Sequence, residues 1–271
     1  MARPSFALFA QQYFDAILQD FGQVFLNEPI PRDPSLRVFK IPSRSDWGND
    51  VLRAVTQNHP NVMVSPEVVG EAEIVDILFE PTPNKSRSDL GLLGELLFDP
   101  TLIAPFRSSP TFWDLREPMR HIIRWQVEGG GGLLAMDENP RKPLETDPDD
   151  DDDPHKRSLI IVPSLHPKYL SGYGAEPSDL KIPGVYECPP AFGITIVIAH
   201  ELPRDDSTLL LRLMGRGRTQ REAIADLIQG DSPLRSIALR QFQQWYQLLL
   251  NGKMGKESGA LMTALSELGH Q

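Results

Sequence analysis

The chain is poor in the residues that most often announce a chemistry. It has one cysteine, Cys188, among 271 residues. A lone thiol forms no internal disulfide, and no Cys/His cluster shows zinc spacing. Cys188 precedes Pro189-Pro190 in a short apolar run, which reads as a small buried hydrophobe and not as a nucleophile. Basic residues are also scarce: 27 Lys and Arg stand against 37 Asp and Glu, a net charge of −10. Broad, sequence-independent binding to nucleic acid needs clustered cations to displace counterions, so the net charge does not support DNA as a partner. No apolar run approaches the roughly 20 residues needed to cross a bilayer. Met1–Ser5 leads straight into an amphipathic pattern interrupted by Asp15 and Asp20. It lacks the uninterrupted apolar stretch of a signal peptide, and the expectation is a cytoplasmic protein.

What is present is material for a core: 40% apolar residues, including 12 Phe and 4 Trp. Phe6, Phe9, Tyr13, Ile17, Phe21 and Val24/Phe25 recur at intervals of three and four, predicting a helix that ends near Asn27. Leu36–Ile41 alternates as a short strand. Ser45 or Asp46 offers the cap of a helix through Val55. Val62–Val64 and Val68–Phe79 read as strands, and Leu90–Phe98 and Phe112–Val127 as helices. In the latter, Pro118 marks a first turn or a kink. Ser158–Val162, Gly184–Cys188 and Ile194–Ala199 read as strands. Helices follow over Leu209–Met214, Thr219–Ile228, Leu234–Leu250 and Glu257–Leu268.

Between the two groups of strands lie Gly129–Gly132 and the run Asp147-Pro148-Asp149-Asp150-Asp151-Asp152-Asp153-Pro154. Glycine entropy and like-charge repulsion oppose packing there. The organisation expected is therefore residues 1–128 as the first half of an α/β core, 129–156 as a flexible acidic insertion, 157–206 as the remaining core strands, and 207–271 as C-terminal helices. The fold class is α/β, with a mixed central sheet flanked by helices.

The segment with most chemical content is Glu71–Phe79. At period two, Asp76 shares a face with Ala72, Ile74 and Leu78, which should look toward the core. A buried carboxylate is costly unless it is paired, hydrogen-bonded or metal-bound, and this singles Asp76 out. A Mg²⁺-dependent nuclease would add a second carboxylate on a neighbouring strand and a lysine, yet no Glu-x-Lys strand follows Asp76. His200-Glu201 follows the Ile194–Ala199 strand but forms no recognisable triad or zinc-protease motif. Arg212, Arg216, Arg218 and Arg221, around Gly215 and Gly217, are the concentrated basic group. Arg216, Arg218 and Arg221 at a helix start can contact phosphates or nucleic acid, or pair with acids such as Glu222 and Asp226.

Three blocks carry a family resemblance. The first is Phe9-Ala10-Gln11-Gln12-Tyr13-Phe14 through Gly22-Gln23-Val24, with Glu71 and Asp76 after an interval. The second is Leu90-Gly91-Leu92-Leu93-Gly94 with Pro105-Phe106-Arg107. The third runs from Gly172-Tyr173-Gly174-Ala175 and Pro183-Gly184-Val185-Tyr186 to His200-Glu201-Leu202-Pro203-Arg204, Leu210–Leu213 and Gly215-Arg216-Gly217. Together they resemble a family of uncharacterised cyanobacterial proteins that is itself distantly similar to Rpn-type proteins of the PD-(D/E)xK nuclease superfamily. The resemblance implies a nuclease-like scaffold with Asp76 at the core aspartate, as catalytic residue and metal ligand, and Glu71 ahead of it. Mg²⁺ would be the cofactor of a divergent metal-dependent DNA endonuclease. The missing Glu-x-Lys strand departs from that pattern and opens the alternative, a non-enzymatic interaction or scaffold protein with a protein partner.

Overall fold

A computed structural model describes residues 6–30, 38–39, 68–69, 73–129, 156–231 and 233–251. The predicted helix at 45–55, the strand at 62–64, Glu71, most of the acidic insertion and the helix at 257–268 lie outside these residues.

The first helix, α1, is Phe6–Leu18, shorter than its periodicity predicts. Val24 and Phe25 keep the helical phase but belong to strand β1, Gly22–Ile30. Gly22 is where the change occurs: a Cβ there would stand 2.3 Å from the carbonyl oxygen of Glu80, so only glycine lets the strand close onto its partner. A two-stranded pair, β2 (Val38–Phe39) and β3 (Val68–Val69), stands apart from the main sheet. Then come β4 (Glu73–Pro81), the short helix α2 (Leu92–Leu96) and β5 (Thr101–Pro105). Helix α3 (Arg116–Gly129) precedes β6 (Arg157–Val162) and α4 (Pro167–Gly172). Strands β7 (Glu176–Pro177), β8 (Val185–Glu187) and β9 (Ile194–Ile198) complete the sheet. Helices α5 (Leu209–Arg212), α6 (Arg218–Gln229) and α7 (Arg235–Asn251) close the described chain.

The sheet has seven strands in the order β1-β4-β5-β6-β9-β8-β7. β1, β4 and β5 are antiparallel neighbours, β5-β6-β9 run parallel, and β8 and β7 return antiparallel. It is thus a mixed sheet flanked by helices, as the sequence predicts. β6 and β9 are central and covered on both faces, so both are continuous apolar runs without alternation. Their side chains nevertheless divide by face. Ile77, Phe79, Ile103, Leu159, Ile161 and Val197 pack with α1, α2 and α5–α7. Leu78, Leu102, Ile160, Val162, Ile196 and Ile198 pack with Ile122 and Trp125 of α3 and Leu170 of α4.

Candidate functional site

Asp76 lies on the α3 face of β4, on the same side as buried Leu78. The expectation that this face buries it is corrected: Asp76 is exposed. It stands one step past the Ile77–Ile103 pair, where the first turn of α3 rides over the sheet without sealing it. Pro118 belongs to that first turn, where its missing N–H has no intrahelical partner to lose. Glu117 and His121, four residues apart, occupy one side of α3 above Asp76.

The result is a pocket of about 190 Å³ lined by Val75, Asp76, Ile77, Leu102, Ile103, Ala104, Pro105, Phe106, Glu117, Pro118, His121 and Ser158. Burial raises the Asp76 carboxyl above the usual carboxylate range, the like charge of Glu117 adds to the rise, and His121 opposes it. The backbone beneath is unusual. Asn27 of β1, between the Leu26–Ile77 and Glu28–Val75 pairs, has φ +55°. Its Oδ1 accepts a 2.9 Å hydrogen bond from the Gln11 amide of α1, which holds it in a conformation that asparagine tolerates better than most residues.

Of the two strands beside β4, β1 carries Glu28 opposite Val75, outside the pocket lining, and β5 brings no second acid. Thr101-Leu102-Ile103-Ala104-Pro105 contains neither a carboxylate nor a lysine, and no lysine lines the pocket. Among the described residues no group of three or more His, Cys, Asp or Glu is placed to hold a metal ion. Asp76 and Glu117 match the one or two carboxylates that Mg²⁺ takes from a protein, but the lysine of the hydrolytic pattern has no counterpart. Sequence reasoning missed Glu117, His121 and Ser158. The available signal was the four-residue spacing on α3 and a serine at the head of an apolar strand.

The arginines lie elsewhere. Arg216, Arg218 and Arg221 are exposed around the start of α6, whose buried face packs in the layer opposite α3. None of them lines the Asp76 pocket. Arg218 donates to Glu222 at 2.7 Å. Arg212 is 3% exposed and donates to Asp226 at 2.9 Å, and Arg204 forks onto the same carboxylate. The hydrogen bonds from Arg204, with those from Arg212, hold Asp226 below the usual carboxylate range. His200 meets the Pro163 carbonyl at 3.0 Å, and Glu201 accepts from the Tyr186 hydroxyl at 2.7 Å. These contacts tie the ends of β6 and β9 to β8. Cys188 is buried, and burial pushes its thiol up to about 11.

Fold and site define a class: a mixed α/β sheet protein with an acid-bearing pocket between its sheet and a covering helix. Comparison with protein families, curated proteins and solved structures finds no match to the chain. No helix among the described residues is long and apolar enough to cross a membrane.

Proposed function

We propose that the chain is a nuclease-like α/β scaffold that does not hydrolyse nucleic acid, and that its Asp76 pocket serves binding in a non-enzymatic interaction protein. One observation carries this reading: β5, the strand beside Asp76, supplies neither carboxylate nor lysine to the pocket. In the hydrolytic pattern a lysine helps to position or activate the attacking water, and no lysine lines this pocket. A second reading, a divergent Mg²⁺-dependent endonuclease, is favoured by the facing of Asp76 and Glu117, which together supply the carboxylates such an ion requires.

Incubation of the full chain with plasmid and single-stranded DNA in Mg²⁺ or Mn²⁺ separates the two. The expected result is no cleavage above background, with no difference between wild type and Asp76→Ala. Cleavage by the wild type that disappears in a folded Asp76→Ala variant would overturn the binding reading in favour of the nuclease.

A further inference from the structure

Besides Asp76, Glu117 and His121, the pocket has a further polar lining residue, Ser158. It is 1% exposed, and no protein group is hydrogen-bonded to its hydroxyl. Strand alternation puts its side chain on the same face as Ile160 and Val162, the face covered by α3. There Ser158 is among the residues that line the pocket of Asp76 and Glu117, its hydroxyl oxygen closed off just beneath the pocket surface. A buried hydroxyl without a partner is destabilising, and a ligand's polar group would offset that.

The register fixes the spacing of the two ends. Ser158 pairs with Leu102, and Leu102 with Leu78. Asp76 is therefore two strands across and two residues along from Ser158, about 12 Å between backbones at ordinary strand spacing and rise. The remaining walls include Leu102, Ala104, Phe106 and Pro118, with His121 as a further polar side chain. At about 190 Å³ the space equals that of about six waters, too small for a drug-sized ligand. A bare cation held between Asp76 and Glu117 leaves the serine unsatisfied and the apolar walls unused. A neutral polar group at that end matches the Ser158 hydroxyl, which carries no charge of its own.

We propose that this pocket binds a small aliphatic amine with a neutral hydrogen-bonding group at its far end, the ammonium lying between Asp76 and Glu117 and the neutral group at Ser158. This inference rests on the binding reading of the same pocket. The chain between the two ends packs against the apolar walls, and the Ser158 hydroxyl gains its partner.

The test is calorimetric titration of the full chain at neutral pH with 4-aminobutan-1-ol, pentylamine, pentan-1-ol and MgCl₂. Expected is saturable binding of the amino alcohol, weaker binding of pentylamine, and none of pentan-1-ol. Glu117→Gln, at an exposed helix position, should weaken the amino alcohol about ten-fold or more, as for loss of a charged hydrogen bond, and Asp76→Asn likewise. Ser158→Ala should abolish the preference for the amino alcohol over pentylamine. Failure of the amino alcohol to bind, binding unchanged in Glu117→Gln, a preference that survives Ser158→Ala, or binding of Mg²⁺ alone would each overturn the proposal. The same preparations assayed for DNA cleavage keep the two questions apart. Absent amine binding with absent cleavage removes only the ligand assignment, whereas Asp76-dependent cleavage removes the binding reading itself.

Discussion

Asp76 is held in tension by its surroundings. It has solvent access, yet burial first and Glu117 second disfavour its charge, with His121 opposing. A carboxyl whose pKa is raised by folding binds more protons in the native than in the unfolded state at pH values just above the ordinary aspartate range. Stability contributed by this group therefore falls as pH rises through that window, and the difference vanishes below the unfolded value, where both states are protonated. Asp76→Asn should raise stability at pH 7, roughly a few tenths of a kcal/mol once solvent screening is allowed for, and give no gain near pH 3. Urea denaturation of wild type and variant at the two pH values measures this. Greater stability of the wild type at pH 7 would show that Asp76 is paired favourably instead.

Among the elements, legibility in the sequence depends on how local the determining forces are. β6 and β9 could be read from their apolar runs because both faces are covered, whichever strands adjoin them. β5 could not: Thr101–Pro105 is five residues long, preceded by Pro100 and ending in Pro105, with Thr and Ala diluting the pattern, and its two neighbours in the sheet make it a strand. The overrun of α1 into Val24 and Phe25 has the same origin, since their pairing with Phe79 and Leu78 of β4, distant in the chain, overrides a continuing helical period. Asp76 was conspicuous as an acid among apolar residues. Its partner was not, because Glu117 reaches it from another layer, through a helix that carries no motif.

The arginine group gives a prediction at this scale. Asp226 on α6 joins Arg212 at the end of α5 to Arg204 in the loop before it. Arg212 also donates to Thr208 and to the Asp205 carbonyl. Removing Asp226 leaves a buried guanidinium without its counter-charge, so Asp226→Asn should cost roughly 3 kcal/mol at pH 7. Arg204→Ala, on an exposed side chain, should cost far less than Asp226→Asn. Because Asp226 is held below the usual range, its contribution is complete above the unfolded aspartate pKa and is lost as pH falls through the folded one. The penalty of Asp226→Asn, measured by chemical denaturation, should therefore shrink in strong acid. Equal costs for the two substitutions would mean that the buried pair does not organise the α5–α6 joint.

At the scale of the molecule, the C-terminal helices belong to the same core as the sheet. Leu234, just before α7, and Ala238, Phe242 and Trp245 of α7 lie in one cluster with Phe9, Tyr13 and Phe14 of α1 and with Ile77 and Phe79 of β4. Phe9 stacks on Trp245 with centroids 4.2 Å apart at 18°, and meets Phe242 edge-on at 5.0 Å. Arg107, which follows β5, lies over the Trp245 ring at 5.3 Å. Loss of one buried Phe or Trp side chain costs about 3–5 kcal/mol, and a domain has only about 5–15 kcal/mol in total. A chain ending at Gly230 loses both Phe242 and Trp245 and uncovers Phe9, so it should not fold. The full chain should melt in one transition that coincides in far- and near-UV circular dichroism, as one cooperative core requires. The truncated chain should show neither a near-UV signal nor a cooperative melt. If it retained both, α7 would be a separable appendage, and a partner could then engage that helix without disturbing the sheet that carries Asp76.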